Sequence, residues 1–306
     1  MRFGLRHLID DELAPRIAES RGFYEAAGRR EQPDLTSLDG LMQTRAANAI
    51  RPSGALSRTV ECLVEAPDGH VPVRIIAPEN GASRAVYLDI PGGGFFLGLA
   101  ARGDVRNAQL ADALGVTVVS VDYRLAPEEP WPAAPDDCET AALWVLEHGE
   151  DLFGTFRFVM GGASAGSNLA LTTLLRLRER GHGDRFSGVV LQFGAYDLSG
   201  RTPGGRLYAD EYFIEAHVGH VSDRTNPDIS PLFADLSGLP PALVIVGTLN
   251  ILLEDNLAMA ARLSSAGAEV DLCVFPESPH GFTLHPTSMA TDARRVIESW
   301  TAERLI

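Results

Sequence analysis

The stretch Phe158–Leu175, FVMGGASAGSNLALTTLL, joins an apolar run to an amphipathic run through small residues. The run that ends at Met160 is typical of a buried strand, and the run that begins near Asn168 is typical of a helix. Between them, residues 162–166 have the pattern Gly-x-Ser-x-Gly. Because this pattern is short, it occurs by chance in many sequences. It indicates a nucleophile here because it lies on a strand-to-helix turn. The position predicts an α/β fold in which Ser164 stands at the end of a strand.

Seven further runs between residues 59 and 275 extend the same alternation, and the later ones are continuous stretches of Val, Leu and Ile. Such stretches need both faces buried, which is typical of a parallel sheet covered by helices. With helices in the crossovers, one doubly wound domain accommodates eight strands. The eight runs are TVECLVEA, VPVRIIA, RAVYLDI, VTVVSVD, FRFVMGG, GVVLQFG, ALVIVGT and EVDLCVF.

Two segments stand outside this alternation. Residues 1–50 predict helices, because Leu5, Leu13 and Ile17 recur near a period of 3.6 residues opposite a charged face. Residues 196–228 are poor in strand-like runs. We expect both segments to form a helical cap over the carboxyl edge of the sheet, with residues 51–306 forming the main domain.

The charge balance bears on partners and location. The 306 residues carry a net charge of -15, without a long basic run, so nucleic acid and anionic membranes are disfavoured as partners. The first residues, MRFGLRHLIDDELAP, lack the apolar run of a signal peptide, and no later stretch is apolar for about 18 residues. We therefore expect a cytoplasmic, soluble protein.

Ser164 is a candidate nucleophile. The small residues Ala163 and Ala165 allow the strained turn that pushes a serine Oγ outward. The N-terminus of the following helix and the Ala165 N–H would then face the oxyanion that forms on an attacked carbonyl. The alternative is a glycine-rich turn that only packs a helix on a strand.

Four other stretches accompany this turn. They are LDIPGGGFFLG (88–98), VDYRLAPEEPWPAAPDDC (121–138), ISPLFADLSGLPPALVIVGTLN (229–250) and FPESPHGF (275–282). Together they resemble the hormone-sensitive-lipase family of α/β-hydrolases, the bacterial carboxylesterases with an HGGG loop, from about Val60 to the C-terminus. The resemblance implies an α/β-hydrolase fold with an eight-stranded, mostly parallel sheet and a helical cap, in which residues 51–306 are the catalytic domain.

The resemblance also implies an activity and its residues. The family implies hydrolysis of a carboxylic ester, here an ester or lactone of a small molecule, through an acyl-serine. By position, Ser164 is the nucleophile and His280 the general base, and the N–H groups of Gly93, Gly94 and Ala165 form the oxyanion hole. Neither a metal nor another cofactor is implied. Homodimers are common in the family, which leaves the oligomeric state open.

His280 also follows from the residues themselves. It stands in a loop just past the last predicted strand, at the sheet edge where the nucleophile emerges, and Gly281 allows the turn. An imidazole there can take the serine proton and return it to the leaving group. His285, five residues further on, is the local competitor.

The sequence departs from the family at two positions. Pro91 stands where the family has the histidine of the HGGG loop, which orients that loop and does not react. Asn250 stands where the family has the catalytic aspartate. An amide can accept a hydrogen bond from the histidine but brings no charge, and in a serine protease this exchange costs about 10⁴ in turnover.

Several alternatives to Asn250 remain open at this point. Glu254 or Asp255 could reach back to the histidine, and Asp197 could supply a carboxylate from the neighbouring strand end, although a turn or helix cap is the more ordinary role for it. Asn250 could also orient His280 alone. Because the acid is missing, a non-hydrolytic acyltransferase, cyclase or lyase-type enzyme is the alternative function, and a ligand-binding protein on the same scaffold is a third.

Overall fold

A computed structural model of the chain describes residues 4–28, 37–48, 58–97 and 100–306. The predicted boundary between residues 50 and 51 lies outside the described residues, as do parts of the predicted N-terminal cap. The strands are β1 (Thr59–Ala66), β2 (Gly69–Ile76), β3 (Val86–Ile90), β4 (Thr117–Val121), β5 (Phe158–Ala163), β6 (Phe186–Gln192), β7 (Ala242–Gly247) and β8 (Val270–Phe275). The α-helices are α1 (Ile17–Ala27), α2 (Leu38–Asn48), α3 (Asp104–Leu114), α4 (Ala133–Phe153), α5 (Ala165–Glu179), α6 (Tyr212–Val218), α7 (Leu253–Ser265) and α8 (Ser288–Glu303).

All eight strands join one sheet in the order β1-β2-β4-β3-β5-β6-β7-β8. The pairs β1–β2 and β2–β4 are antiparallel, and every other neighbouring pair is parallel. The predicted α/β fold with an eight-stranded, mostly parallel sheet is therefore confirmed. Parallel neighbours place their carboxyl ends at one edge, and the loops after β5, β7 and β8 meet there.

Helices cover both faces of the sheet, which explains the continuous apolar runs. Successive residues of a strand point to opposite faces. In β3, Tyr87 joins the core under α3 and α8, whereas Leu88 joins the core under α4, α5 and α7. In β4, Val118 and Val119 divide in the same way. A strand between two apolar cores is therefore apolar at most positions, and a buried polar exception, Ser120 of β4, hydrogen-bonds to Asp89 of β3.

The described parts of residues 1–50 contain helices, but most of the stretch from Leu5 to Ile17, whose apolar period suggested one helix, forms short 3₁₀-helices. Two 3₁₀-helices, Leu5–His7 and Asp11–Arg16, precede α1. Helix α1 packs against α8, while Arg45 of α2 donates to the Phe96 carbonyl in the loop after β3. Within the described ranges, none of the helices combines the length and apolar character that a membrane crossing requires.

Candidate active site

Ser164 is the single residue between β5 and α5. The strand runs to Ala163 and the helix begins at Ala165, so both extend further toward the serine than the sequence-predicted ends at Met160 and Asn168. Ser164 has φ 55° and ψ -118°, a strained combination for a residue with a side chain. This turn directs the serine out of the sheet edge at the N-terminus of α5.

The loop after β3 lies directly on this turn. A Cβ at Gly166 would stand 2.0 Å from the Ile90 carbonyl oxygen, and a Cβ at Gly92 would stand 2.4 Å from the Ala163 carbonyl oxygen. Both contacts are to backbone and both are shorter than any side chain tolerates. The glycines are therefore required because two backbone segments touch, and the contact brings the glycine loop alongside Ser164.

The predicted oxyanion-hole residues occupy these two touching segments. Gly93 and Gly94 follow Gly92 with φ of 139° and 59°, and Ala165 is the first residue of α5. The Gly93 carbonyl accepts hydrogen bonds from two later N–H groups of the loop, which closes it into a tight turn. The carbonyl of Pro91, the residue predicted to replace the family histidine, accepts a hydrogen bond of 2.9 Å from the Tyr123 hydroxyl.

His280 reaches the serine. Its Nε2 lies 2.9 Å from Ser164 Oγ, a hydrogen-bond distance. The ring of Phe193 packs edge-on against the imidazole, with centroids 5.1 Å apart. His285, the competitor, lies elsewhere, and its Nδ1 is 3.0 Å from the Tyr24 hydroxyl. The geometry thus brings Ser164 and His280 together.

The other ring nitrogen of His280 meets Asn250. The Nδ1 atom lies 3.3 Å from Asn250 Oδ1, and the same oxygen accepts a hydrogen bond of 2.9 Å from the Leu252 N–H. Because a backbone N–H can only donate, it keeps the amide oxygen, and not the amide nitrogen, on this side. The oxygen then accepts the Nδ1–H of His280. Nε2 is left unprotonated, which is the tautomer that can receive the proton of Ser164.

The environment of His280 disfavours its charged form. Burial among the surrounding protein atoms lowers the pKa of His280 from 6.5 to about 4, although one edge of the residue remains exposed. Within the described part of the chain, no carboxylate hydrogen-bonds to the ring. Asn250 itself is 5% exposed, and its Nδ2 has no partner among the described residues. The imidazole is therefore neutral at pH 7 and available as a base.

Asp197 does not lie against His280. Its two carboxylate oxygens accept hydrogen bonds from the N–H and hydroxyl groups of Ser199 and Thr202. These bonds form a local turn after β6. The arrangement matches the more ordinary of the two roles considered for this residue, a turn cap.

Glu254 and Asp255 also point elsewhere. Glu254 is exposed on α7, and its side chain lies next to Gly204. Asp255 is buried, and one of its oxygens accepts the N–H of Tyr196 and the hydroxyl of Tyr208. Burial raises the pKa of the Asp255 carboxyl. Among the candidates for the acid position, the structure brings only Asn250 to the histidine.

Sequence reasoning missed several contributors to this arrangement. The Gln192 carbonyl accepts the Ser164 N–H at 2.8 Å, and Phe193 packs on His280. Both stand at the end of β6, next to the nucleophile strand, so strand order could have indicated them. The role of Leu252 had no signal in the sequence, because it depends on a backbone N–H.

No metal centre accompanies the site within residues 4–28, 37–48, 58–97 and 100–306. In these ranges, no group of three His, Cys, Asp or Glu side chains is placed to hold a metal ion.

A family model described as the alpha/beta hydrolase fold matches residues 87–284 of the chain. Among characterised relatives, a carboxylic ester hydrolase, LipN, of Mycobacterium tuberculosis is 32% identical over 298 residues, which span 92% of this chain and 73% of the relative. An ethyl acetate hydrolase of Pseudomonas putida is 32% identical over 232 residues, which span 70% of this chain and 72% of the relative.

Solved structures are similar over most of their length. An esterase from Pyrobaculum calidifontis superimposes with a TM-score of 0.79 at 28% identity, covering 92% of this chain and 96% of the other. A hormone-sensitive lipase from a metagenome library superimposes with a TM-score of 0.74 at 29% identity, covering 97% and 98%.

Proposed function

The chain belongs to the α/β-hydrolase fold family, and we propose that it hydrolyses a carboxylic ester or lactone of a small molecule through an acyl-serine. Relatives named as esterases support an enzyme with carboxylic ester hydrolase activity. The observation that carries the finer proposal is the 2.9 Å contact between Ser164 Oγ and His280 Nε2. A nucleophile and a base in hydrogen-bond contact are what acyl transfer to serine requires.

In the acylation step, His280 Nε2 takes the proton of Ser164 Oγ while Oγ attacks the ester carbonyl carbon. The negative charge that develops on the carbonyl oxygen is stabilised by the N–H groups of Gly93, Gly94 and Ala165. The tetrahedral intermediate collapses when His280 gives the proton to the leaving alcohol. In the second step, water repeats the attack on the acyl-serine with the same base, and the acid is released.

Asn250 serves as an uncharged positioning residue in this scheme. Its Oδ1, held by Leu252, selects the reactive tautomer of His280. It supplies no negative charge for the imidazolium that forms in the transition state, so proton transfer to Nε2 is less favourable than in a site with aspartate. We therefore expect a functional but slow hydrolase toward simple esters.

Helices α2 and α6 are proposed as the cap over the acyl pocket, from within segments 1–50 and 196–228. In α2, Arg45 donates to the carbonyls of Phe96, in the loop after β3, and of Ala126, in the loop after β4. In α6, the ring of Phe213 lies 3.2 Å from the position that a Cβ at Gly94 would occupy. These contacts support a cap in which α2 and α6 lie near the predicted oxyanion hole, where a substrate would bind.

The uncharged Asn250 also favours a second candidate, acyl transfer to an acceptor other than water. Attack by a more reactive nucleophile on the acyl-serine depends less on a strong base than attack by water does. Hydrolysis remains the first proposal because the relatives support it.

The proposal is tested with p-nitrophenyl esters and a serine-directed phosphonate, on the parent and on the Ser164→Ala, His280→Ala and His285→Ala variants. We expect burst kinetics and one phosphonyl group on Ser164 in the parent. Ser164→Ala and His280→Ala should each lower turnover by at least about 10³, because the pair acts as one unit. His285→Ala is the matched control and should keep the parental rate. A parent that binds esters without turnover or labelling would indicate a binding protein instead.

A further inference from the structure

Helix α1 is bound to one stretch of the chain, residues 277–292. Arg16, which directly precedes the helix, pairs with Asp292 at 2.9 Å, and within the helix the Tyr24 hydroxyl lies 3.0 Å from His285 Nδ1. The loop that carries His280 lies within this stretch. The helix therefore contacts the segment on both sides of the candidate base.

Ser20 contacts the segment at Glu277, close to His280 along the chain. Ser20 is fully buried, and its hydroxyl donates a hydrogen bond of 2.6 Å to the Glu277 carbonyl. Arg21, the next residue, pairs with the Glu277 carboxylate at 2.9 Å, but its side chain is 55% exposed. An exposed ion pair of this kind contributes little to stability. A buried carbonyl whose hydroxyl donor is removed is left without a hydrogen-bond partner, which is costly.

Glu277 is the strained point of the loop. It has φ 48°, in the left-handed region that non-glycine residues rarely adopt, and the surrounding structure must hold it there. Its N–H donates to Thr248 Oγ1 at 3.0 Å, and the next carbonyl, of Ser278, accepts the Leu249 N–H at 3.1 Å. Ser20 thus holds one side of Glu277, and the loop that leads to Asn250 holds the other.

We propose that Ser20 is a positioning residue for His280: by holding the Glu277 carbonyl, it keeps the loop in the conformation that places Nε2 on Ser164 Oγ. This inference rests on the proposed function. It assigns to α1 an effect on the chemical step, which is distinct from any effect of a cap on substrate binding. Residue 20 acts through the loop and need not touch the substrate.

The test is Ser20→Ala, measured with p-nitrophenyl butyrate across pH and by the rate of phosphonylation of Ser164. A small displacement of a base lowers the rate of proton transfer steeply, so we expect kcat and the phosphonylation rate to fall by about 10-fold. KM should change by less than about twofold, because the acyl pocket is not altered.

The pH profile separates positioning from general loss of stability. A loosened loop admits water to the imidazole, so the pKa of His280 rises toward its ordinary value of 6.5. The acidic limb of kcat/KM should therefore move to higher pH in Ser20→Ala. If Ser20→Ala does not fold, Ser20→Cys is used instead, because it keeps a side chain of similar size with a weaker hydrogen-bond donor. We expect a smaller decrease in kcat and a smaller shift of the acidic limb than in Ser20→Ala.

Two variants on the same helix are the controls. Arg21→Gln removes the exposed pair with Glu277, and Tyr24→Phe removes the hydroxyl that contacts His285. Both should keep the parental kcat and pH profile. The inference fails if Ser20→Ala keeps the parental kcat, or if Tyr24→Phe lowers kcat equally at the same free energy of unfolding. Parental activity in Ser164→Ala would instead contradict the proposed function.

Discussion

The N–H of Leu252 donates a hydrogen bond of 2.9 Å to Asn250 Oδ1, and this bond turns the amide oxygen toward His280. In serine hydrolases in general, an asparagine in place of the catalytic aspartate is harmful for two reasons: the amide can select the wrong tautomer of the histidine, and it carries no charge. If Asn250 holds the acid position, as we propose, the bond from Leu252 removes the risk of the wrong tautomer and leaves the lack of charge. The two contributions can therefore be measured separately in this chain.

The first prediction concerns Asn250→Asp. The carboxylate would accept the same Nδ1–H and would add a negative charge beside the imidazolium, so we expect turnover of simple esters to rise by about 10- to 10³-fold. An adjacent carboxylate favours the protonated ring and raises the pKa of His280. The acidic limb of kcat/KM, which should lie below pH 6.5 in the parent, should move to higher pH.

Glu254→Gln is the matched control for that measurement, because it removes a carboxylate on the same segment that does not contact His280. We expect Glu254→Gln to leave both the turnover of simple esters and the acidic limb of kcat/KM unchanged. The prediction fails if Asn250→Asp does not raise the turnover of any ester while Glu254→Gln or Asp197→Asn lowers it. That result would assign the orienting role to another residue. A gain on simple esters with loss of the native reaction would favour the acyltransferase candidate.

The second prediction concerns Gly166→Ala. The new Cβ would stand 2.0 Å from the Ile90 carbonyl, so the glycine loop and the nucleophile turn must separate. We expect a loss of at least about 3 kcal/mol in the free energy of unfolding and no labelling by phosphonate. Gly22→Ala in α1 is the control, because apart from its chain neighbours and the nearby backbone of its own helix no described atom lies within 4 Å of the position of its Cβ. It should be neutral or stabilising by about 0.5–1 kcal/mol. Unchanged labelling of Gly166→Ala would show that the two segments can part without consequence.

The third prediction concerns His217 of α6, whose ring is buried and stacked on Phe95 with centroids 4.1 Å apart. Burial, with a smaller contribution from His220, lowers the pKa of His217 from 6.5 to about 3. Between these values the unfolded chain binds a proton that the folded chain does not, so stability falls as pH drops below 6.5. At pH 5 this contribution amounts to about 2 kcal/mol relative to pH 7.5.

His217→Phe keeps a stacked ring and removes the titrating group. In urea unfolding, the difference in free energy between pH 7.5 and pH 5 should shrink by about 2 kcal/mol relative to the parent. His70→Gln, on the exposed end of β2, is the control and should keep the parental difference. An unchanged difference in His217→Phe would mean that this ring already binds a proton in the folded protein.

The sheet could be predicted from the sequence because strands buried on both faces are visible as continuous apolar runs. A strand between two apolar cores is apolar at most positions, and the run ALVIVGT, for example, corresponds to β7. The candidates Ser164 and His280 follow from chain positions just past strand ends, since parallel strands share one carboxyl edge. Local patterns and topology are sufficient for these inferences.

The acid position was not predictable in the same way. Asn250, Asp197 and Glu254 all stand near the correct edge in the sequence, and their side-chain directions decide among them. Asp197 is turned into its own loop by hydrogen bonds to Thr202, which a reading of residue types cannot distinguish from a catalytic orientation. The contact of Ser20 with Glu277 spans 257 positions, and an apolar period indicates which face of a helix is buried but not its partner.

The same contact has a consequence for biosynthesis. Helix α1 leaves the ribosome long before Glu277 is made. It therefore cannot dock on the loop that carries His280 until the intervening residues have been synthesised. A contact so distant in sequence forms late, because closing the intervening loop is entropically costly until the sheet exists. We expect nascent chains that end before residue 277 to fold part of the sheet while α1 remains accessible to protease. Assembly of the candidate active site would then follow the synthesis of residue 277, when α1 can meet the loop that carries His280.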